Sequence, residues 1–185
     1  MRLFQERGYD ETTVADIAAA ADIAPRTFFS YFPTKADLLL SDSEVRLALL
    51  RRRLENRSAD EATFDVLLAW VFETSQNGDV LDEREKLITR LIAHNRPLAA
   101  RDREMMGRFE LLLGESLATD LNEPSCSLRV RMVAAAATAA LMFVRDVGTE
   151  ASDDELLEQL NAAVTFLRAG IATLASGTVG AAGAS

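Results

Sequence analysis

The sequence contains little of what most catalytic and metal sites are built from. It has one cysteine and one histidine among 185 residues. Cys126 therefore has no partner for an internal disulfide, and multi-cysteine metal sites are excluded. His94 alone disfavours a histidine-rich metal or acid–base centre. Accordingly, we expect neither a bound metal nor a cofactor.

Long apolar segments are also scarce. The longest uncharged apolar run, residues 132–144, is too short for a bilayer and rich in alanine. The first residues, "MRLFQERGYDE", lack the apolar core of a signal peptide. From these two observations we expect a cytoplasmic protein with no membrane contact.

The formal net charge is −9, from 20 basic and 29 acidic residues. Proteins that bind nucleic acids usually carry a basic face, so the total charge alone argues against that class. A small binding face can nevertheless differ from the molecule as a whole. The local distribution of charge must therefore decide.

The pattern of apolar residues is helical along almost the whole chain, and strand-like alternation is nearly absent. We expect an all-α protein of about nine helices. The predicted helices cover 1–7, 14–21, 25–32, 34–56, 64–72, 83–94, 97–121, 128–147 and 153–175, with a turn at 77–79. We divide the chain into a small three-helix unit (1–44), a helical bundle (45–176) and a disordered tail (177–185).

Two short helices near the N-terminus are separated by only three residues. The first begins behind Thr13, which with Asp16 forms the pattern of a capping box. The second opens on Pro25, a residue favoured in the first turn of a helix. This arrangement is typical of a DNA-binding helix-turn-helix, in which the second helix enters the major groove.

A longer stretch around these helices carries a family resemblance. Residues 3–39, "LFQERGYDETTVADIAAAADIAPRTFFSYFPTKADLL", resemble the N-terminal domain of tetracycline-repressor-like (TetR) transcriptional regulators. The shared signs are "ERGY…TTV", "DIA…A", the helix "T-F-F-x-Y-F" and the exit "P-x-K". The resemblance implies a helix-turn-helix head followed by a helical domain that binds an effector and dimerises.

The resemblance also implies roles for individual residues of the head. Ile23, Phe28 and Phe32 would close a small core against Val14, Ile17 and Ala18. The remaining side chains would contact operator DNA. These implied DNA contacts are Thr12, Thr13, Arg26, Thr27, Phe29, Tyr31 and Lys35. Alternatives stay open: Phe29 and Tyr31 could be ordinary surface aromatics, and Thr13 and Lys35 could serve only a helix cap and a helix end.

Three features depart from the family pattern. The chain opens midway through the family's first helix, so we expect coding sequence upstream of Met1. Residues 1–40 hold four basic and six acidic side chains, an unfavourable balance for phosphate binding. Asp22 stands where glycine is common in the turn, and Ala24 replaces the usual serine cap.

In the bundle, the family resemblance implies dimerisation through the last two helices. Apolar residues of the last helix are spaced three and four apart, and the preceding helix is lined with alanine. The expected interface comprises Ala134, Ala137, Leu141, Leu160, Val164, Leu167 and Ile171. The alternative is that both helices pack inside one subunit.

The expected effector pocket rests on apolar residues of the central helices. The candidates are Trp70, Phe72, Met105, Phe109 and Met142, with His94 supplying polarity. An ordinary filled core would use the same residues.

The leading interpretation is a ligand-responsive regulator, most often a repressor in this family, that binds operator DNA as a homodimer. An enzyme is disfavoured because a glycine-rich phosphate loop, a Ser-His-Asp set and a metal cluster are missing from the sequence. A helical dimeric interaction protein with lost or weakened DNA binding is the remaining alternative.

Overall fold

A computed structural model of the chain describes residues 1–74 and 82–175. The predicted all-α fold is confirmed: within these ranges there are ten helices and no strand. The helices are α1 (Arg2–Glu11), α2 (Val14–Ala20), α3 (Pro25–Tyr31), α4 (Lys35–Leu39), α5 (Ser41–Glu55), α6 (Thr63–Thr74), α7 (Glu83–His94), α8 (Arg96–Leu121), α9 (Leu128–Val147) and α10 (Asp153–Ala175). The predicted turn at 77–79 and tail at 177–185 lie outside the described residues.

The predicted helix over residues 34–56 is wrong in one respect, because it is split at Leu40. The Leu40 backbone leaves helical geometry (ψ 5°), and the Ser41 hydroxyl donates to the Leu38 carbonyl over 2.8 Å. The bend lets two consecutive leucines, Leu39 and Leu40, both point into the protein. A straight helix would have directed them about 100° apart.

The first helix also differs from its prediction. It continues past Gly8 to Glu11, with a kink at Gly8, where φ is 79° and ψ is 176°. Only glycine adopts such a backbone without strain. The kink turns the chain so that Tyr9 joins Phe4 in the interior, with their rings 6.1 Å apart.

Reciprocal side-chain caps fix the starts of several helices. Thr13 and Asp16 form the predicted capping box of α2, and Thr34 with Asp37 forms a second on α4. Asp82 and Glu85 do the same for α7. Each box satisfies two backbone N–H groups that the helix cannot pair internally.

The main core lies where α5, α6, α8, α9 and α10 meet. Its most deeply buried side chains include Leu50, Val66, Leu113 and Leu117. In the arrangement of these helices, α8 packs along α9 and α9 along α10. This bundle forms the larger part of the molecule.

A second apolar cluster joins the N-terminal helices to the bundle. We call it the head cluster; its buried members are Phe4, Tyr9, Ala36, Leu39, Leu40 and Leu98, and Ile17, Ile88, Leu91 and Ile92 pack against it. Because Leu98 is on α8 and the three residues 88, 91 and 92 are on α7, the cluster crosses the predicted boundary near residue 44. The N-terminal unit is thus packed against α7 and the start of α8.

Among the described helices, none is both long and apolar enough to cross a membrane.

Candidate functional site

Helix α3 has a buried side and an exposed side. Phe28 is fully buried, and its ring lies 5.6 Å from those of both Phe29 and Phe32. Phe32 is half-buried where α3 ends. The predicted core role of Phe28 therefore agrees with its burial, and Phe28 anchors the helix by one aromatic side chain.

The exposed side of α3 carries the other predicted contact residues. Arg26 and Thr27 lie at its N-terminus, and Phe29 and Tyr31 are 54% and 74% exposed. Within the described part of the chain, Arg26 has no hydrogen bond or ion pair. An unpaired guanidinium beside two exposed aromatic rings is a surface that can bind an external ligand.

The turn between α2 and α3 agrees with the sequence in its backbone but not in its packing. Asp22 adopts the left-handed conformation (φ 54°), and Ala24 caps α3 with no side-chain hydrogen bond. Ile23 was expected in the small core, but it is 38% exposed. The Ile23 backbone N–H donates to the Ala18 carbonyl over 3.0 Å, so Ile23 belongs to the tight turn at the surface.

Thr12 and Thr13 are neighbours with opposite environments. Thr12 is fully buried, and its hydroxyl donates to the carbonyls of Gly8 (2.7 Å) and Leu3 (3.3 Å). The predicted DNA contact of Thr12 through its hydroxyl is therefore wrong, and a contact through its backbone N–H stays a prediction. Thr13 is exposed at the start of α2. Its hydroxyl donates to the Asp16 carboxylate and accepts from the Asp16 backbone N–H.

Lys35 was expected to contact phosphate, but it is occupied inside the protein. Its Nζ donates to the carbonyls of Tyr9 (2.5 Å), Thr12 (3.0 Å) and Asp10 (3.3 Å). The same ammonium lies 4.2 Å from the centre of the Tyr9 ring. Lys35 thus caps the C-terminal end of α1 and ties it to α4, which is the alternative that the sequence left open.

A cavity of about 190 Å³ lies in the bundle, where residues of α4 to α10 line it. Four of the six predicted pocket residues line it, namely Trp70, Met105, Phe109 and Met142. The rings of Trp70 and Phe109 are 6.1 Å apart and tilted by 41°. These residues form an apolar wall.

Phe72 and His94 do not belong to this wall, and the prediction for both is corrected. Phe72 is 48% exposed near the end of α6, because the residues that turn inward there are Trp70 and Val71. His94 is exposed at the end of α7, where its Nδ1 is 2.8 Å from the Arg90 carbonyl oxygen.

Six charged residues also line the cavity, which the sequence did not reveal. Asp102, only 4% exposed, accepts two hydrogen bonds from Arg145, at 3.0 and 3.1 Å. Arg46 pairs with Glu85, and Arg84 pairs with Asp42. All six of these residues line the cavity. In the sequence they look like ordinary charges on solvent-exposed helix faces, so no local signal could have identified them.

Burial acts on these arginines to different degrees. Burial lowers the pKa of Arg46, and the positive charge of Arg145 lowers it further, although Asp82 opposes both effects. Burial also lowers the pKa of Arg84. Burial opposes the charge of Arg145 too, but the hydrogen bonds that Arg145 donates to Asp102 and the charges of Asp102 and Asp146 outweigh it and raise the pKa of Arg145. Arg46 and Arg84 are therefore less well compensated than Arg145.

The cavity and the head cluster share part of one wall. Leu39, Leu40, Ile88 and Ile92 line the cavity and also belong to the head cluster or pack against it. A second link lies beside them, where the Nε of Arg101 on α8 donates to Asp37 of α4 over 3.0 Å. A molecule bound in the cavity would thus touch side chains that also hold the N-terminal helices in place.

The predicted interface residues of the last two helices pack inside the subunit. Ala134, Ala137, Leu160, Val164 and Leu167 are all buried, and Leu141 and Ile171 pack against the same core. These side chains hold α9 to α10 within one chain, so assigning them to an interface between subunits is corrected. The three-and-four spacing was consistent with either partner helix.

The opposite face of these two helices is exposed and apolar. Met132 (62%) and Phe143 (64%) project from α9, and Phe166 (76%) projects from α10. The exposed alanines Ala135, Ala136 and Ala139 lie between the first two. Several large exposed apolar side chains on two neighbouring helices are typical of an interaction site.

Comparisons with known proteins find transcriptional regulators. Residues 1–41 match the model described as bacterial regulatory proteins, tetR family. The chain is 27% identical over 178 residues to MftR of Mycobacterium tuberculosis, named for mycofactocin biosynthesis transcriptional regulation; the match covers 92% of this chain and 86% of MftR. It is 29% identical over 134 residues to the HTH-type transcriptional regulator TcmR of Streptomyces glaucescens, covering 66% of this chain and 59% of TcmR.

A solved structure has the same fold. The TetR-family transcriptional repressor FadR of Thermus thermophilus, crystallised with lauroyl-CoA, superimposes with a TM-score of 0.61 at 22% identity. The match covers 100% of this chain and 94% of FadR.

Proposed function

Because this chain belongs to the tetR family of bacterial regulatory proteins, we propose that it is a repressor released from operator DNA by a small effector. The observation that carries the proposal is the division of α3 into a buried anchor, Phe28, and an exposed set beginning with the unpaired Arg26. In a helix-turn-helix, the N-terminal residues of the second helix meet the base edges.

The proposed contacts follow from the chemistry of the exposed residues. Arg26 suits two parallel hydrogen bonds to guanine, and Thr27 beside it suits a base or a phosphate. Phe29 can pack on a thymine methyl group, and the Tyr31 hydroxyl can donate to a phosphate. Thr13, exposed at the start of α2, is the remaining phosphate contact that we propose.

We propose a homodimer that uses the exposed apolar face of α9 and α10. Two copies related by a two-fold axis would bury Met132, Phe143 and Phe166 together, with the alanines between them allowing close approach of the helices. A two-fold also presents two reading helices to two half-sites of an operator. The homodimer is thus both a way to cover this surface and a requirement of the reading geometry.

The proposed effector site is the cavity in the bundle. FadR, which has the same fold, was crystallised with an acyl-CoA. In this chain a ligand in the cavity would touch Leu39, Leu40, Ile88 and Ile92, which support the N-terminal helices. Binding of the ligand and of DNA would then be coupled, and the coupling is reciprocal.

One observation favours the alternative, a dimeric interaction protein with weakened DNA binding. Of the four basic residues among 1–40, Arg2 pairs with Glu6 (3.7 Å) and Arg7 with Asp16 (3.3 Å). Lys35 is held by backbone carbonyls. Within the described ranges, this leaves Arg26 as the one basic group of the head that is free for DNA.

Fluorescence anisotropy with labelled duplexes can decide between the two functions. The duplexes tile the intergenic DNA upstream of the protein's own gene, and a scrambled duplex sets the non-specific level. We expect one tile to bind at least tenfold more tightly than the scrambled duplex. Arg26→Gln should remove about 1–3 kcal/mol of that preference.

The matched control is Arg108→Gln, which breaks an exposed ion pair with Glu44 far from α3. It should leave the preference intact. Equal binding of every duplex would instead support the interaction protein, and a full preference in Arg26→Gln would refute the assigned contact.

The curated relatives are named as transcriptional regulators, and we propose that this chain likewise has no enzymatic activity. A protein that binds operator DNA acts in the cytoplasm of a bacterium, so we propose a cytoplasmic location.

A further inference from the structure

The charged residues that line the cavity indicate the chemical class of the effector. We infer that the ligand is a small organic carboxylate, with its carboxylate between Arg46 and Arg145 and its apolar body against Trp70 and Phe109. The inference rests on the proposed function, because it names the chemistry of the effector in that same cavity.

Size comes first. The cavity holds about 190 Å³, below the 300–1,000 Å³ usual for ligand pockets. An apolar cavity of about 150 Å³ in another protein accepts benzene. The cavity here is thus suited to one ring or a short chain with a single polar substituent, and a large nucleotide-bearing ligand could place only its end there.

The apolar wall selects the body of the ligand. Trp70 and Phe109 offer two tilted ring faces, and Met105 and Met106 offer flexible thioethers beside them. Aromatic faces and methionine sulfur atoms bind apolar and aromatic groups of varied shape. This half of the cavity provides no charge to a ligand.

The charged part of the lining has an excess of hydrogen-bond donors. A guanidinium has five N–H groups and no acceptor, and three guanidiniums line this cavity. Arg145 donates hydrogen bonds to both Asp102 and Asp146. Among the described residues, Arg46 and Arg84 each form an ion pair with one acidic partner. Glu85 is moreover shared, since it also accepts from the Asp82 backbone N–H over 3.3 Å. A ligand with acceptor oxygens satisfies donors that the protein leaves unused.

The charges indicate that these oxygens carry one negative charge. Three arginines face three acidic residues, Asp42, Glu85 and Asp102, so the lining is neutral as a whole. Arg46, however, is half-buried and repelled by Arg145, and both effects lower its pKa. A monoanion placed between these two guanidiniums offsets that repulsion. A phosphate would bring a second negative charge close to the three acids, and an ammonium would add donors where donors are already in excess.

Three pairs of probes of equal shape test the inference on the intact protein. They are benzoate with benzamide, 3-phenylpropanoate with 3-phenylpropanamide, and octanoate with octanamide; phenyl phosphate and benzylammonium complete the set. Calorimetry gives each Kd. Trp70 is the sole tryptophan of the sequence, so its fluorescence reports whether the probe lies in this cavity.

We expect at least one acid to bind at least tenfold more tightly than its amide and to shift the Trp70 emission. In Arg46→Gln that ratio should fall to within threefold of one, while the matched control Arg108→Gln should keep it. Thermal unfolding of both variants checks their folding, and the comparison of acid with amide in the unsubstituted protein decides the question even if Arg46→Gln fails to fold.

The inference is overturned if no acid is favoured over its amide, if phenyl phosphate or benzylammonium binds more tightly than every acid, or if the favoured acid leaves Trp70 emission unchanged. Operator binding is measured separately. If the protein prefers one DNA sequence but favours no acid, only the ligand class is refuted. If the protein shows no preference among DNA sequences, the proposed function is refuted.

Discussion

At Gly8 the backbone conformation is decided by a single residue. Its φ of 79° and ψ of 176° kink α1 and direct Tyr9 inward against Phe4. An added Cβ there would meet nothing within 4 Å, so any cost of a side chain comes from the backbone alone. We expect Gly8→Ala to lower the free energy of unfolding by about 1–3 kcal/mol.

Gly107 is the matched control, because it also has open space around its Cβ position but lies in the exposed interior of α8 with helical geometry. Gly107→Ala should stabilise the protein by about 0.5–1 kcal/mol. Urea unfolding followed by circular dichroism measures both variants. Similar values for the two alanines would show that the Gly8 backbone is not strained.

Thr12 and Thr13 show where residue-level prediction succeeds and where it fails. The capping role of Thr13 depends on Asp16, three positions away, and could be predicted from the sequence. The burial of Thr12 depends on the kink at Gly8, which brings the Gly8 carbonyl to within 2.7 Å of its hydroxyl. The periodicity of apolar residues in the sequence does not predict that contact.

At the level of elements, Lys35 couples α1 to α4. Its ammonium completes the hydrogen bonding of the last carbonyls of α1, and such bonds to a charged group contribute about 1.5–3 kcal/mol. We expect Lys35→Met to lower the stability by that amount and to weaken binding to all duplexes. The loss should be the same at every salt concentration, because Lys35 positions helices and releases no counterion from DNA.

Anisotropy titrations between 50 and 200 mM salt measure this slope for the unsubstituted protein and for Lys35→Met. A phosphate-contacting lysine would instead reduce the slope of log K against log salt by about one. A reduced slope would therefore restore the sequence-based assignment of Lys35 to DNA.

The four aromatic residues at the end of α3 divide into a buried and an exposed pair. Phe28 is buried and Phe32 half-buried, whereas Phe29 and Tyr31 are exposed. The i, i+4 spacing of the first pair predicted this division correctly. The exposure of Ile23 could not be predicted, because it depends on how closely α2 and α3 approach at Ala18.

At the level of the whole molecule, the exposed face of α9 and α10 predicts the oligomeric state. Phe166 is the most exposed aromatic residue of this face. Phe166→Glu would place a charge in the proposed interface without touching the core, so we expect a dimer of the unsubstituted protein to become monomeric. Size-exclusion chromatography with light scattering at micromolar concentration measures the mass, and circular dichroism checks the helix content.

Leu111→Glu is the control, since Leu111 is 70% exposed on α8 and lies outside this face. It should remain dimeric. A dimeric Phe166→Glu, or a monomeric unsubstituted protein, would contradict the proposed interface.

The sequence by itself determined the all-α class, most helix boundaries, the capping box of α2 and the family of the N-terminal region, because these depend on neighbouring residues and on one helical period. Tertiary structure alone decided which face of α9 and α10 is buried, where Lys35 is directed and that Arg46, Arg84 and Arg145 converge on one cavity. These features need residues up to a hundred positions apart, such as Arg46 and Arg145, to meet. Amphipathic spacing predicts that a face is apolar, but only the packing of the helices decides what covers it.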